Sequence, residues 1–347
     1  MNLTSRGISI GLFLSFLVSG RFLLWQQKAM DLSLPEPLRW FIYFAALGMV
    51  WEIIGLPLSL SHHWVERAHG LSRQTYSAWF LDRLKGYGVG GVIGILVTYL
   101  LYWSVQWGGE FWWLWTALGF ISLTVVLAQL APVLLIPLFF KLKPMENQTL
   151  RQRLLDLSSR FGVTVQEVYQ LGMGEKTEKG NAAFVGLGKT KRILIGDTLY
   201  EKFPLEEVEA VFAHELGHQV HKDLVKGICL SSGILLTLFF ITEYLCTEWV
   251  FPTFQTNATE PFGLVIFLVT FSICSLPTGV LQHIFSRSRE RKADRFAMEK
   301  LNSGEALASA LERLTLQNRG LFCPHSLIEF LTYSHPAPWR RITGLRS

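Results

Sequence analysis

The chain is short of charge and of pairable cysteine. Asp, Glu, Lys and Arg make up 17% of its 347 residues, against the roughly one quarter usual in a soluble globular domain. Its 4 cysteines, Cys229, Cys246, Cys274 and Cys323, show no paired spacing. That excludes a disulfide framework and predicts packed free thiols, three of them in or at the ends of apolar segments. There is no internal repeat, low-complexity tract or Gly/Ser linker, so the chain reads as one integrated unit. The net charge of +5 has no spacing suited to a polyanion, and no nucleic-acid partner is expected.

What fills the chain instead is apolar. Hydrophobic residues make up 50%, with 12 Trp and 25 Phe, and the mean hydropathy is +0.30. The apolar residues gather in runs over 8–25, 40–60, 87–107, 111–140, 227–250 and 262–285, each near the ~20 residues that cross a bilayer. Six spans follow, with Trp25, Trp40, Trp103, Trp107, Trp112, Trp113, Trp115 and Trp249 near their ends as an interfacial belt. The first run follows Arg6 as a signal peptide would. No small-x-small cleavage site comes after it, and Arg21 with residues 22–25 extends it, so a retained span is expected. Arg21 and Glu52 lie inside spans, where lipid exposure is costly; they are expected to face an interior cavity or each other.

Positive charge sets the orientation. Arg67, Arg73, Arg83 and Lys85 fill the second loop and Arg287, Arg289, Arg291 and Lys292 follow the last span, whereas connections 108–110 and 246–261 carry no Lys or Arg. The positive-inside rule then places the N-terminus, the second loop, residues 141–226 and the tail in the cytoplasm. Four blocks result: a four-span half over 1–140, a cytosolic α+β insert over 141–226, two spans over 227–285, and a helical tail over 286–347.

The insert carries the chemistry. In Val211-Phe-Ala-His-Glu-Leu-Gly-His218, His214 and His218 fall one helical turn apart, ~6 Å along the axis, so both imidazoles can reach one metal ion. Glu215 lies beside them, where its carboxylate can take a proton from a metal-activated water. Pro204, the early acids Glu206, Glu207 and Glu209, and the stripe Leu205, Val208, Val211, Phe212 and Leu216 support the helix. Upstream, residues 181–186 and 192–196 around a polar turn at 188–191 read as a hairpin. Its edge can add a substrate peptide as a further strand, or it can simply buttress the helix.

A third ligand has a candidate in Glu290, one turn before Asp294, which can accept the second N–H of a ligating imidazole. Arg287, Arg291 and Arg295 lie at i+4 spacing around these acids and can instead hold both in ion pairs. His62, His63, His69, His221, His283 and His325 read as structural or surface residues.

Taken in order, Asn181 to Gly186, Lys191-Arg-Ile-Leu-Ile-Gly-Asp-Thr-Leu199, His214-Glu-Leu-Gly-His218, Glu290-x-x-Ala-Asp294 and Ser334-His-Pro336 with Arg341 resemble the successive signatures of the zinc CAAX prenyl proteases. Trp64-Val-Glu66, His69-Gly70, Gln74-Thr75, residues 82–86, Pro137-Leu-Phe139, Lys141 and Pro144 resemble that family's N-terminal signatures. The resemblance covers nearly the whole chain. It implies a mainly α polytopic fold, about six transmembrane helices around a chamber, with a small α+β zincin-like cytosolic portion. It implies one Zn2+ per chain held by His214, His218 and Glu290, with Glu215 as general base and Asp294 beside the ligands. His335 and Arg341 would stabilise the oxyanion, and Asn181, Ala182, Ala183 and Phe184 would bind the substrate backbone.

The implied partners are the bilayer and a peptide or protein substrate, prenylated or otherwise membrane-anchored. The implied location is a bacterial inner membrane or an endoplasmic reticulum-type membrane, with a cytosolic active site. Compared with eukaryotic members the chain lacks one N-terminal span and the long insertion before the motif helix, and it carries His221 and Asp223 after the motif. That compactness suggests a prokaryotic type. Two other functions stay open: a quality-control protease of the heat-shock type, and a non-catalytic chambered scaffold.

Overall fold

The computed structural model describes residues 11, 15, 20–163, 165, 167–186 and 191–347. Among them four helices are long and apolar enough to cross a bilayer: Glu36–Ala68, Tyr76–Trp107, Gly109–Phe139 and Asp223–Phe254. The pair Pro261–Ser275 and Thr278–Lys300 makes a fifth if taken as one span. These fall on five of the six apolar runs. The first run lies mostly outside the described residues, and its end enters the helix Arg21–Met30.

The four unbroken helices have 31 to 33 residues, or ~48 Å at 1.5 Å per residue, well beyond a ~30 Å hydrocarbon core. Reading the runs by hydropathy stopped them at charged residues. Arg83, ahead of the run 87–107, lies inside the helix Tyr76–Trp107 with its charge matched: it pairs at 2.6 Å with Glu52, which also accepts from the Tyr87 hydroxyl at 3.1 Å. Glu52 thus has its partner on a neighbouring helix; the side chain of Arg21, expected with Glu52 to face an interior cavity or each other, lies outside the described residues.

Contacts divide the chain into two interleaved units. One takes the described residues up to 69 together with 76–122 and 234–276. Its core is aromatic, with Trp40 edge-on to Tyr102 and Trp112 against Phe267. The Trp112 indole N–H donates to Glu243 at 3.0 Å, so this buried ring keeps its polar edge satisfied.

The other unit takes residues 70–75, 123–233 and 277–347. Its sheet has β1 (Lys141–Pro144), β2 (Val168–Gly172), β3 (Ala182–Val185) and β4 (Arg192–Gly196) in the order β1-β2-β4-β3. β4 is central, parallel to β2 and antiparallel to β3, and its Ile193, Leu194 and Ile195 are buried, as the continuous apolar run requires. The β3–β4 pairing is the expected hairpin; most of its turn, 187–190, lies outside the described residues.

The helix Gln148–Arg160 starts where Asn147 Oδ1 accepts from the Leu150 amide at 3.0 Å, and it buries Leu150, Leu154 and Leu157 along one face. Asp197, just past β4, accepts from the amides of Met173, Gly174 and Thr198, tying the ends of β2 and β4 together. Residues 70–75 lie across the unit as a strap, with Ser72 bridging Thr177 and Leu71 accepting from the Glu178 amide.

All four cysteines are free, but only Cys246 is buried, while Cys229 and Cys323 are exposed, unlike the packed thiols expected. His63 is buried in a stack on Trp79, and His325 accepts from the Leu327 amide at the start of the helix Ser326–Thr332.

Candidate metal centre

Every group of this site belongs to the second unit. The motif lies on the helix Leu205–Val220, whose Val208, Phe212 and Leu216 are sunk in the core with Ile193, Ile195 and Ala297. This helix packs along Thr278–Lys300. Gly217 makes the approach possible, because a Cβ there would stand 3.1 Å from Ala293 Cα and 3.2 Å from the Phe296 ring. The small pair Gly217 and Ala293 thus brings His214 and His218 close to Glu290.

The three candidate ligands converge. The two Nε2 atoms are 3.2 Å apart, His214 Nε2 is 3.4 Å from Glu290 Oε2, and His218 Nε2 is 3.3 Å from Glu290 Oε1. Tetrahedral bonds of ~2.05 Å place ligand atoms ~3.3 Å apart. The rings stand edge to face, with centroids 4.8 Å apart. Glu290 Oε2 is buried and accepts no hydrogen bond, its ion-pair partner Arg341 Nη1 standing 3.4 Å away, which leaves lone-pair capacity that a bound metal ion would satisfy. Spacing, donor chemistry and this orphaned oxygen fit a divalent metal held by His214, His218 and Glu290.

Behind each imidazole stands an acid. Asp294 Oδ1 lies 2.9 Å from His214 Nδ1, and Asp223 Oδ2 lies 3.0 Å from His218 Nδ1. Each acid fixes the ring so that Nε2 faces the metal position. Each is backed in turn by an arginine. Arg341 grips Asp294 through two bonds of 2.6 and 2.8 Å, and Arg289 Nε lies 2.9 Å from Asp223 Oδ1. Glu215 sits between the two histidines in sequence, on the same helix. Burial pushes that carboxyl above the ordinary range, opposed by positive charge on His214 and His218.

The fourth side of the cluster comes from the tail. His335 Nε2 lies 3.3 Å from Glu290 Oε1, with its side chain 59% exposed. Its loop is held from below by Arg287, buried, whose Nη1 donates to the carbonyls of Glu329, Phe330 and Tyr333. Buried Glu329 accepts from the Ala337 amide at 2.9 Å and from Arg340 at 3.3 Å. Arg341 Nη1 reaches Glu290 Oε2 at 3.4 Å, so its guanidinium is occupied by two carboxylates.

β3 is an open edge beside the motif helix. The Gly196 amide donates to the Asn181 carbonyl at 2.9 Å, which makes 181, 183 and 185 the positions bonded to β4 and turns the amides and carbonyls of Ala182 and Phe184 outward. The side chains of Ala182 and Phe184 pack on the core, and Asn181 is exposed. The other edge, β1, is blunted by Lys141, Lys143 and Pro144; β3 has no charge and no proline.

Four supporting residues were not assigned roles from sequence. Asp223 had a local signal, an acid at the start of the helix that follows the motif, reached through Lys222 at a φ of 55°. Arg289 lies one residue before Glu290 on the opposite flank. Arg287 acts through bonds to carbonyls more than 40 residues away, and Glu329 through the Ala337 amide and Arg340; neither has a local signature.

Comparison with known proteins agrees with this architecture. A family model described as "Peptidase family M48" matches residues 144–347, and one described as "CAAX prenyl protease N-terminal, five membrane helices" matches residues 1–141. An uncharacterized metalloprotease, YhfN of Bacillus subtilis, is 26% identical over 97% of this chain and 80% of its own length. The CAAX prenyl protease 1 homolog of Arabidopsis thaliana is 30% identical over 87% of this chain and 72% of its own length. The crystal structure of S. mikatae Ste24p shares the fold, with a TM-score of 0.87 at 23% identity over 97% of this chain and 83% of that one. With family matches running the length of the chain and metalloprotease relatives on both sides, the chain belongs to peptidase family M48 and is an integral-membrane metalloendopeptidase.

Proposed function

We propose that the chain is a zinc endopeptidase of the CAAX-processing kind, cutting a peptide bond near the C-terminus of a lipidated or membrane-anchored substrate on the cytosolic face. The carrying observation is the convergence of His214, His218 and Glu290 at ligand spacing with Glu215 on the same helix. The names of relatives such as the Arabidopsis thaliana protein support the substrate class, and the distribution of Lys and Arg supports the orientation. The membrane is an inner membrane if the chain is bacterial and of endoplasmic reticulum type if it is eukaryotic.

His214, His218 and Glu290 would hold one Zn2+, which would supply Lewis acidity toward water and a carbonyl oxygen. Glu215 takes the water proton on its carboxylate and returns it to the leaving amine. The peptide lies extended along β3, exchanging hydrogen bonds with the outward amides and carbonyls of Ala182 and Phe184, while Asn181 and Ala183 keep the strand in register. His335, exposed on the open side of the cluster, donates Nε2–H to the developing oxyanion. Arg341 acts from behind, holding Asp294 and Glu290 and spreading positive charge under the site; its two carboxylates leave it no fork for the substrate. Asp294 keeps His214 oriented.

The test is hydrolysis of a farnesylated C-terminal peptide and its unlipidated twin by detergent-purified protein with metal quantitation. Faster cleavage of the lipidated peptide, lost in Glu215→Gln with zinc retained, is expected. Equal rates on both peptides with good cleavage of unfolded membrane proteins would make it a quality-control protease, and a fully functional Glu215→Gln protein would make it a scaffold.

A further inference from the structure

The helix Thr278–Lys300 carries more positive charge than the metal centre employs. Arg287, Arg291 and Arg295 stand at successive i+4 positions and so share a face. With Arg340 and Arg341 of the helix Pro338–Arg346 they line one cavity of about 700 Å3. Two acidic side chains line it as well, Asp294 and Glu329, and both are engaged, Asp294 by Arg341 and Glu329 by Arg340; the carboxyl-terminal Ser347 also stands on its wall. Arg287 spends its Nη1 on three carbonyls, which leaves its charge without a carboxylate. Arg291 and Arg295 are exposed and form no ion pair among the described residues.

Like charges one turn apart repel along a helix. Here the arginines face a partly walled space, where their field is less screened than on open surface. An anion with several oxygens relieves that repulsion, and guanidinium forks match phosphate oxygens two at a time. A merely solvated basic face would need neither the cavity nor the convergence of two helices upon it.

We propose that this cavity is a binding site for a phosphate-bearing anion, with Arg291 and Arg295 as its principal ligands. Its wall includes Arg341 and Asp294, so the anion lies directly behind the acid that orients His214. Two sources carry this chemistry: the headgroup of an anionic phospholipid and soluble phosphate. The position of the arginines just after an apolar segment suits either.

The experiment uses the full chain in uncharged detergent, titrated calorimetrically with inorganic phosphate, and the same chain in phosphatidylcholine nanodiscs with and without phosphatidylglycerol, its unfolding temperature being the readout. Saturable one-to-one binding of phosphate assigns a soluble anion. A rise in unfolding temperature with phosphatidylglycerol alone assigns a headgroup, and either result supports the site. The pair Arg291→Gln and Arg295→Gln should weaken the response at least about tenfold, the loss of roughly one charge-assisted contact or more, with peptide hydrolysis in the absence of the anion unchanged as the check on folding. The charge-matched pair Lys292→Gln and Lys300→Gln, on the same helix but off the cavity wall, should respond as wild type. No response to either ligand, or an equal loss in both double variants, overturns the proposal.

Discussion

The motif helix and the tail segment both reach the Glu290 carboxylate, but they are held by different forces. His214 and His218 stand on a helix whose apolar face is sunk in the core and whose Gly217 lies against Ala293. His335 stands on an exposed loop, fixed by Arg287 on three carbonyls and by Glu329 on one amide. Packing therefore builds the candidate metal-binding side, and hydrogen bonding builds the side proposed to meet substrate. Close packing tolerates little displacement, whereas a loop secured by a few buried bonds can be loosened without emptying the metal site. The two sides should separate under mutation.

The largest separation is expected from Glu215→Gln, which leaves every ligand in place. Hydrolysis should fall on the order of 10²- to 10⁴-fold, the usual worth of a positioned general base, while metal content measured by emission spectrometry stays at the wild-type level. Loss of metal alongside activity would show that Glu215 supports the ligands instead. Next, Asp223→Asn removes the charge behind His218 without removing bulk. Metal affinity, read by chelator competition, should weaken about 10- to 100-fold, and activity should recover at saturating zinc. Unchanged affinity would mean that Arg289 alone positions the helix start.

On the tail side, Arg287→Gln should lower kcat about tenfold, by displacing His335 as an oxyanion donor. KM should stay within about twofold and metal content should be unchanged. A drop in bound metal would merge the two sides and break the contrast.

That contrast also divides what the sequence revealed from what it hid. The helix turn that aligns His214 with His218 is local, and so are the short apolar runs around a polar turn that mark β3 and β4; both were legible. Five of the apolar runs were legible for the same reason, although the start of one was hidden, since Arg83, ahead of the run 87–107, is neutralised by Glu52 of another helix. Whether Glu290 meets the histidines or its neighbouring arginines was undecidable from spacing. In the fold Arg287 turns to backbone carbonyls, Arg289 to Asp223, and Arg291 and Arg295 to a cavity. The motif that carries Arg341 gave no sign that Asp294 holds its Nε and Nη2 at 2.8 and 2.6 Å.

The smallest effect tests the two edges of the sheet. β1 is closed to strand addition by its lysines and proline, and β3 is bare. The alternation of β3 provides a substitution that touches one side only. Ala182→Pro deletes an amide that faces away from β4, so the ladder keeps its bonds and a proline is admissible on an edge. The substrate loses one hydrogen bond, about 1 kcal/mol, which raises KM roughly fivefold with the unfolding temperature little changed. Ala183→Pro deletes the neighbouring amide, which points into the sheet, and should lower the unfolding temperature. If both variants lower stability and neither moves KM selectively, the bare edge only braces the motif helix and the peptide lies elsewhere.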